Sequence, residues 1–135
     1  MANINLSGVK RITINDDSER VIEFNPSDVL FVERFYAMYR EFEMKQKEYE
    51  ERAKELDTAT LDENGIATNM DAGIAFLKEV CGFMREKIDW LFGENTSQKV
   101  FGDALSLEMI AQFFKGIMPF IMQARQEKVS KYTPK

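Results

Sequence analysis

The 135-residue sequence has no histidine, a single cysteine and three prolines. Without histidine, most zinc sites and every histidine-based catalytic triad are excluded. The lone Cys81 cannot close an internal disulfide, which suits a reducing cytosol. No apolar run approaches the roughly 18–20 residues of a membrane span, and the opening MANINLSGVK lacks the apolar stretch of a signal peptide. Glycine-rich phosphate loops are missing as well. Positive charge is in the minority, 18 bases against 23 acids, and the net charge of −5 argues against wholesale phosphate binding.

What is present describes one folded domain over 1–135, since domains cluster around roughly 100–150 residues. Hydrophobic residues at 44% and charged residues at 30% give the balance of a globular rather than a disordered chain. Eleven Phe stand against one Trp, beside eight Met. Unbranched Met adapts to irregular partners, and a domain this small has a limited interior in which to hide such side chains.

The segment over about 9–24 reads as a β-hairpin. Ile12, Ile14, Ile22 and Phe24 fall on one face of two β-branched runs, separated by the polar cluster Asn15–Glu19. Such a face must lie on helices or on another subunit, because an isolated hairpin is marginal in water. Residues 26–127 read as helical. Asn25-Pro26-Ser27-Asp28 supplies a capping Asn and a Pro at the first helical position. The first helix is expected over about 26–57, roughly 45–50 Å long. Val32, Phe35, Tyr39, Phe42, Gln46 and Tyr49 form its heptad seam. Its highly charged second half, Glu41 to Glu55, is expected to project. A turn follows at Asp62-Glu63-Asn64-Gly65, too incomplete in carboxylates to be a calcium loop.

A second helix is expected from Asn69 or Met70 to Phe92, with Ile74, Leu77, Cys81, Met84, Ile88 and Leu91 as its seam, ended by a left-handed Gly93. A short turn capped by Thr96 or Ser97 stops at Gly102. The last helix should run from Ser106 to about Glu127, kinked or divided by Pro119. Residues 128–135 are expected as a flexible basic tail. From Arg125 onward four bases meet one acid, a local +3 that leaves −8 elsewhere. The fold class is therefore mainly α: a small N-terminal β-hairpin, then a three- to four-helix bundle with a long, partly projecting first helix.

No catalytic residue is assigned. The carboxylates lie mostly on solvated helix faces, and Cys81 sits on an apolar seam where it reads as a small core hydrophobe. No metal and no cofactor is expected. Interaction is the remaining class. The run Met109–Met122 is apolar around most of its circumference, and a break at Pro119 would leave Phe120–Met122 as a separate apolar patch.

Three ordered stretches carry a likeness. The first is Phe24-Asn25-Pro26-Ser27-Asp28 followed by Phe31-Val32-Glu33-Arg34-Phe35-Tyr36. The second is Ile88-Asp89-Trp90-Leu91-Phe92-Gly93-Glu94 leading to Lys99-Val100-Phe101-Gly102. The third is Phe113-Phe114 with Ile117-Met118-Pro119-Phe120-Ile121 and a basic ending through Lys128 and Lys131-Tyr132. In this layout the chain resembles the small tail assembly chaperones of long-tailed phages and prophages of Gram-positive bacteria. The resemblance implies a non-enzymatic protein of the bacterial host cytoplasm that binds the tape measure protein and keeps it soluble during tail morphogenesis. The tail tube protein is a second implied partner, and self-association is expected, with no nucleic acid and no membrane. Phe113, Phe114, Met118, Phe120 and Met122 are then the partner-binding candidates, joined by Phe92 and Phe101. For Phe92, Phe101 and Phe113 a core position is the favoured expectation. The alternatives are a structural tail or head-tail joining protein retained in the virion, and a small helical dimerising regulator.

Overall fold

The computed structural model describes the backbone of residues 1–132 and the side chains of residues 1–126. Two strands, β1 (Lys10–Ile14) and β2 (Asp17–Phe24), precede four helices: α1 (Val29–Leu56), α2 (Met70–Phe92), α3 (Thr96–Phe101) and α4 (Leu107–Tyr132). The architecture is mainly helical with an N-terminal hairpin, as the patterning indicated.

The hairpin closes more tightly than the polar cluster suggested. Asn15 (φ 53°) and Asp16 (φ 57°) are both left-handed, the two-residue turn whose twist matches that of paired strands. Ser18 and Glu19, expected in the loop, therefore belong to β2, and the register slips between Thr13 and Ile14 to accommodate them. Ile12, Ile14, Ile22 and Phe24 share the face that packs on the helices.

Helix α1 starts three residues later than expected. Asn25 does not cap it; its Oδ1 accepts the Ser27 N–H at 3.0 Å, and its carbonyl accepts the Asp28 N–H at 3.1 Å, closing a turn around Pro26. Asp28 is the cap, accepting the Leu30 N–H at 3.0 Å. The seam of α1 is also displaced. Phe31, Phe35 and Met38 are its buried residues, followed by half-buried Phe42, Lys45, Tyr49 and Arg52, whereas Tyr39 and Gln46 are exposed. On α2 the buried residues are Val80, Cys81, Ile88 and Leu91, and the expected seam residues Ile74 and Leu77 lie exposed.

The short α3 is held from two sides. Asp89 Oδ1 accepts the Ser97 N–H at 2.7 Å and its Oδ2 accepts the Ser97 hydroxyl at 2.9 Å. At the other end Arg20 of β2 donates from Nε to the Lys99 carbonyl at 3.0 Å and from Nη2 to the Val100 carbonyl. These two carbonyls are among those a helix end leaves unpaired. Gly93 has positive φ (120°) but an extended ψ of 156°, so the left-handed residue in this turn is Asn95 (φ 68°).

Helix α4 is neither divided nor ended by Pro119. Ile110, Phe113, Ile117 and Ile121 keep one buried row through the proline, which faces solvent. A carbonyl freed on that side can bond to water. The helix backbone also continues through Tyr132, so residues 128–132 are helical rather than a tail, and 133–135 lie outside the described residues.

Ring contacts set the packing. Phe24 lies 5.7 Å from Phe31, 5.5 Å from Phe92 and 6.3 Å from Phe120, joining the hairpin to α1, α2 and α4. Replacing Phe24 with Ala is expected to cost about 3–5 kcal/mol in urea denaturation followed by circular dichroism. Asp16→Gly, which removes a Cβ from a left-handed position, should raise stability by up to about 1 kcal/mol in the same measurement.

Candidate functional site

The seven apolar residues implied as a partner surface are not gathered into one exposed patch. Phe101 (5% exposed) and Phe113 (7%) are core, and Phe92, Phe114, Met118 and Phe120 pack partly buried against it. Only Met122, 60% exposed, faces outward. No separate patch arises because α4 continues through Pro119, which keeps Phe120 against Phe24 of the hairpin and Ile121 in the core.

Exposed apolar surface lies elsewhere, on an arm made by the far ends of α1 and α2. Tyr49 meets Phe76 at 5.9 Å, Phe42 meets Phe83 at 5.9 Å, and the Arg34 guanidinium covers Trp90 at 5.7 Å, so the two helices run antiparallel. Helix α4 joins them only part of the way. Phe114 reaches Phe42 at 5.7 Å and Arg125 donates to the Tyr36 hydroxyl at 2.9 Å, so α4 runs antiparallel to α1. Its first residue, Leu107, sits beside Phe42 and Tyr49. Beyond that point the body stops. No residue of α1 after Met38, and none of α2 before Val80, is buried.

Past Leu107 the space between α1 and α2 is an open groove of about 350 Å³, walled by Phe42, Tyr49, Ala53, Phe76, Val80 and Met84. A second hollow of about 470 Å³ continues it toward the tip, sharing Ala53 and Phe76 and adding Leu56, Gly73 and Leu77. From Tyr49 to Asp57 the trough runs clear of α4 along about 12 Å of α1, roughly two helical turns. A Cβ at Gly73 would meet nothing, so the glycine leaves the floor open. The aromatic ladder of the core runs on into this trough, from Phe113 through Phe114, Phe42, Phe83 and Tyr49 to Phe76.

Cations occupy two seam positions here. Lys45 Nζ lies 5.6 Å from the Phe83 centroid and Arg52 Cζ 4.8 Å from that of Phe76, so the charged groups themselves sit over ring faces on the half-exposed seam. Arg52 is also paired with Glu79 across the arm, which raises its pKa further. Sequence reasoning missed this register because Lys and Arg do not score as apolar. The signal was the step of seven linking Met38, Lys45 and Arg52.

The arm is acidic. Residues 41–80 carry 11 acids and 5 bases, a net −6, so the rest of the chain is +1. The tip is ordered by its own bonds: Asp62 Oδ1 accepts the N–H groups of Asn64 (2.8 Å) and Ile66 (2.9 Å), and Asn69 donates to the Leu56 carbonyl at 2.8 Å. Among the described residues no three Cys, Asp or Glu side chains converge where a metal ion could sit. No helix among them is long and apolar enough to cross a membrane.

Burial raises the pKa of the Cys81 thiol, only weakly opposed by Arg85, and burial also raises Tyr49 against the pull of Lys45. Both groups therefore stay protonated when folded, at a pH where the unfolded chain would ionise. The unfolded state then binds fewer protons, so stability should fall as pH rises past 9. The expected outcome is a lower urea midpoint at about pH 10 than at pH 8. At pH 8 the native thiol should stay unmodified by a disulfide reagent that titrates it fully in urea.

No curated protein and no solved structure matches the chain. A family model matches residues 18–135, from the second strand onward, and the chain belongs to that family, the family of unknown function DUF6673.

Proposed function

We propose that the protein is a non-enzymatic tail assembly chaperone of a long-tailed phage or prophage. It holds apolar helical segments of the tape measure protein in the trough of its arm and keeps that client soluble in the host cytoplasm until tail tube subunits assemble. The observation that carries this reading is the trough itself. Beyond Tyr49, helices α1 and α2 present aromatic and aliphatic side chains over about two turns with none of the described helices laid across them. The third place of a three-helix bundle, filled by α4 in the body, is vacant in the arm.

The chemistry suits a holder better than a catalyst. Helix-in-groove recognition needs an apolar trough with anchors repeated at helical spacing, and Phe42, Tyr49, Ala53 and Leu56 provide them on α1. Met84, on the α2 wall, adapts to irregular client side chains. The net −6 of residues 41–80 keeps an apolar surface dispersed in water and favours client helices with basic flanks. A long client would engage many copies, one per apolar segment.

The test is co-expression with fragments of the tape measure protein, followed by measurement of soluble client. Ala53→Arg and Leu77→Asp alter exposed positions of the trough and should each lower soluble client about tenfold, roughly the effect of losing one buried apolar anchor. Met122→Asp, on the opposite end of the molecule, should leave it unchanged. Client held equally well by both trough variants would remove the arm from the account.

A further inference from the structure

The sheet is short of a strand, and the chain carries a strand short of a sheet. Residues 4–14 keep a period of two, with Ile4, Leu6, Gly8, Ile12 and Ile14 sharing one parity interrupted only by Lys10. Pairing nevertheless begins at Lys10, because β2 ends opposite it at Phe24 and Pro26 follows. Ile4 (81% exposed) and Leu6 (88%) are therefore left in water. Gly8 determines where this segment goes. Its φ is 104°, and a Cβ there would lie 2.9 Å from Asn25 Oδ1 and closer still to Ser27, so the backbone is pressed against the turn that follows β2. That turn is on the β2 side of the hairpin. With Ile4 and Leu6 this exposed, the segment does not occupy the groove beneath the β1 edge of its own copy.

The β1 edge is prepared for a strand. Among the described residues the sheet has two strands only, and beneath β1 a groove of about 300 Å³ opens between Ile12 and Ile14 above and Met109, Gln112, Gly116 and Ile117 of α4 below. Gly116 sits inside a helix, where glycine costs about 1 kcal/mol relative to alanine. A Cβ there would meet nothing in this chain. A strand added beside β1 would direct alternate side chains into that space, two residues apart, as Ile4 and Leu6 are. The incoming residues Asn3–Ser7 carry no charge, which suits an apolar groove.

We propose that residues 3–7 of one copy pair with the β1 edge of a second copy, placing Ile4 and Leu6 in the groove over Gly116. The contact is head-to-tail: the receiving copy still has its own segment to give, so assemblies grow as rings or open chains. The arm trough plays no part in it.

The experiment uses the full chain at concentrations up to about 1 mM, in sedimentation velocity, a range that captures weak self-association. Wild type should associate. The doubly substituted Ile4→Asp, Leu6→Asp chain, changed only at exposed sites, should show an unaltered circular dichroism spectrum and a dissociation constant raised at least about a hundredfold. Gly116→Leu, which fills the groove from below, should weaken association in the same way. Under mild oxidation Leu6→Cys mixed with Gln112→Cys should give a crosslinked pair that neither variant gives alone. A monomeric wild type, undiminished association of the double variant, or crosslinking of Leu6→Cys with itself would each overturn the proposal.

Discussion

The body of this protein depends on the burial of Phe24. Its ring contacts one aromatic side chain from each of the three long helices, and it stands at the last paired position of β2. Three constraints converge on that position. The strand must end there because Asn25 and Pro26 turn the chain, α1 must begin within a few residues because Asp28 caps it, and α4 must arrive with Phe120 facing inward. The hairpin, marginal by itself, gains stability by lying on helices, and the helices gain a lid for rings that would otherwise reach solvent. Arg20 adds a polar tie at the same junction by closing the end of α3.

From this junction the molecule changes character along its length. Near the hairpin, Phe24, Phe31, Phe101 and Phe113 are buried in the core. Beyond Leu107 the same ladder of rings continues with α4 absent, and charged stems of Lys45 and Arg52 replace the missing apolar neighbours. Such cover is inexpensive to displace, because each cation–π contact at an exposed site is worth only about 0.5–1 kcal/mol. An apolar helix could therefore exchange places with water and lysine stems at little cost, which a buried seam would not permit.

Much of the fold was legible in the residues. The alternating Ile12, Ile14, Ile22 and Phe24 marked the inner face of the hairpin, and the helix Met70–Phe92 was legible from the apolar run through Cys81, Ile88 and Leu91 and the Gly93 that follows it. The projecting half of α1 was legible from its charge. Four features were not. The two-residue turn was hidden because Asn15 and Asp16 are as common in longer loops. The start of α1 was misplaced because Asn25 and Asp28 are equally good caps, and only the turn around Pro26 decides between them. The burial of Phe113, Phe114 and Phe120 was not legible because a helix that is apolar all round does not announce how many neighbours it has. In α4 the hairpin, α1 and α2 between them cover nearly every ring. The trough was invisible because its walls lie on two helices whose relative length, not composition, exposes it.

That difference in length has a consequence for motion. Since α1 buries nothing after Met38 and α2 nothing before Val80, their far halves share few contacts with the rest of the chain. They form a unit that can fray and re-form while Phe24 and its neighbours stay closed, so amide protons there should exchange through brief local openings rather than through collapse of the whole molecule. Cooperativity stops where α4 begins, and residues 49–77 behave as a limb hinged on a rigid hilt.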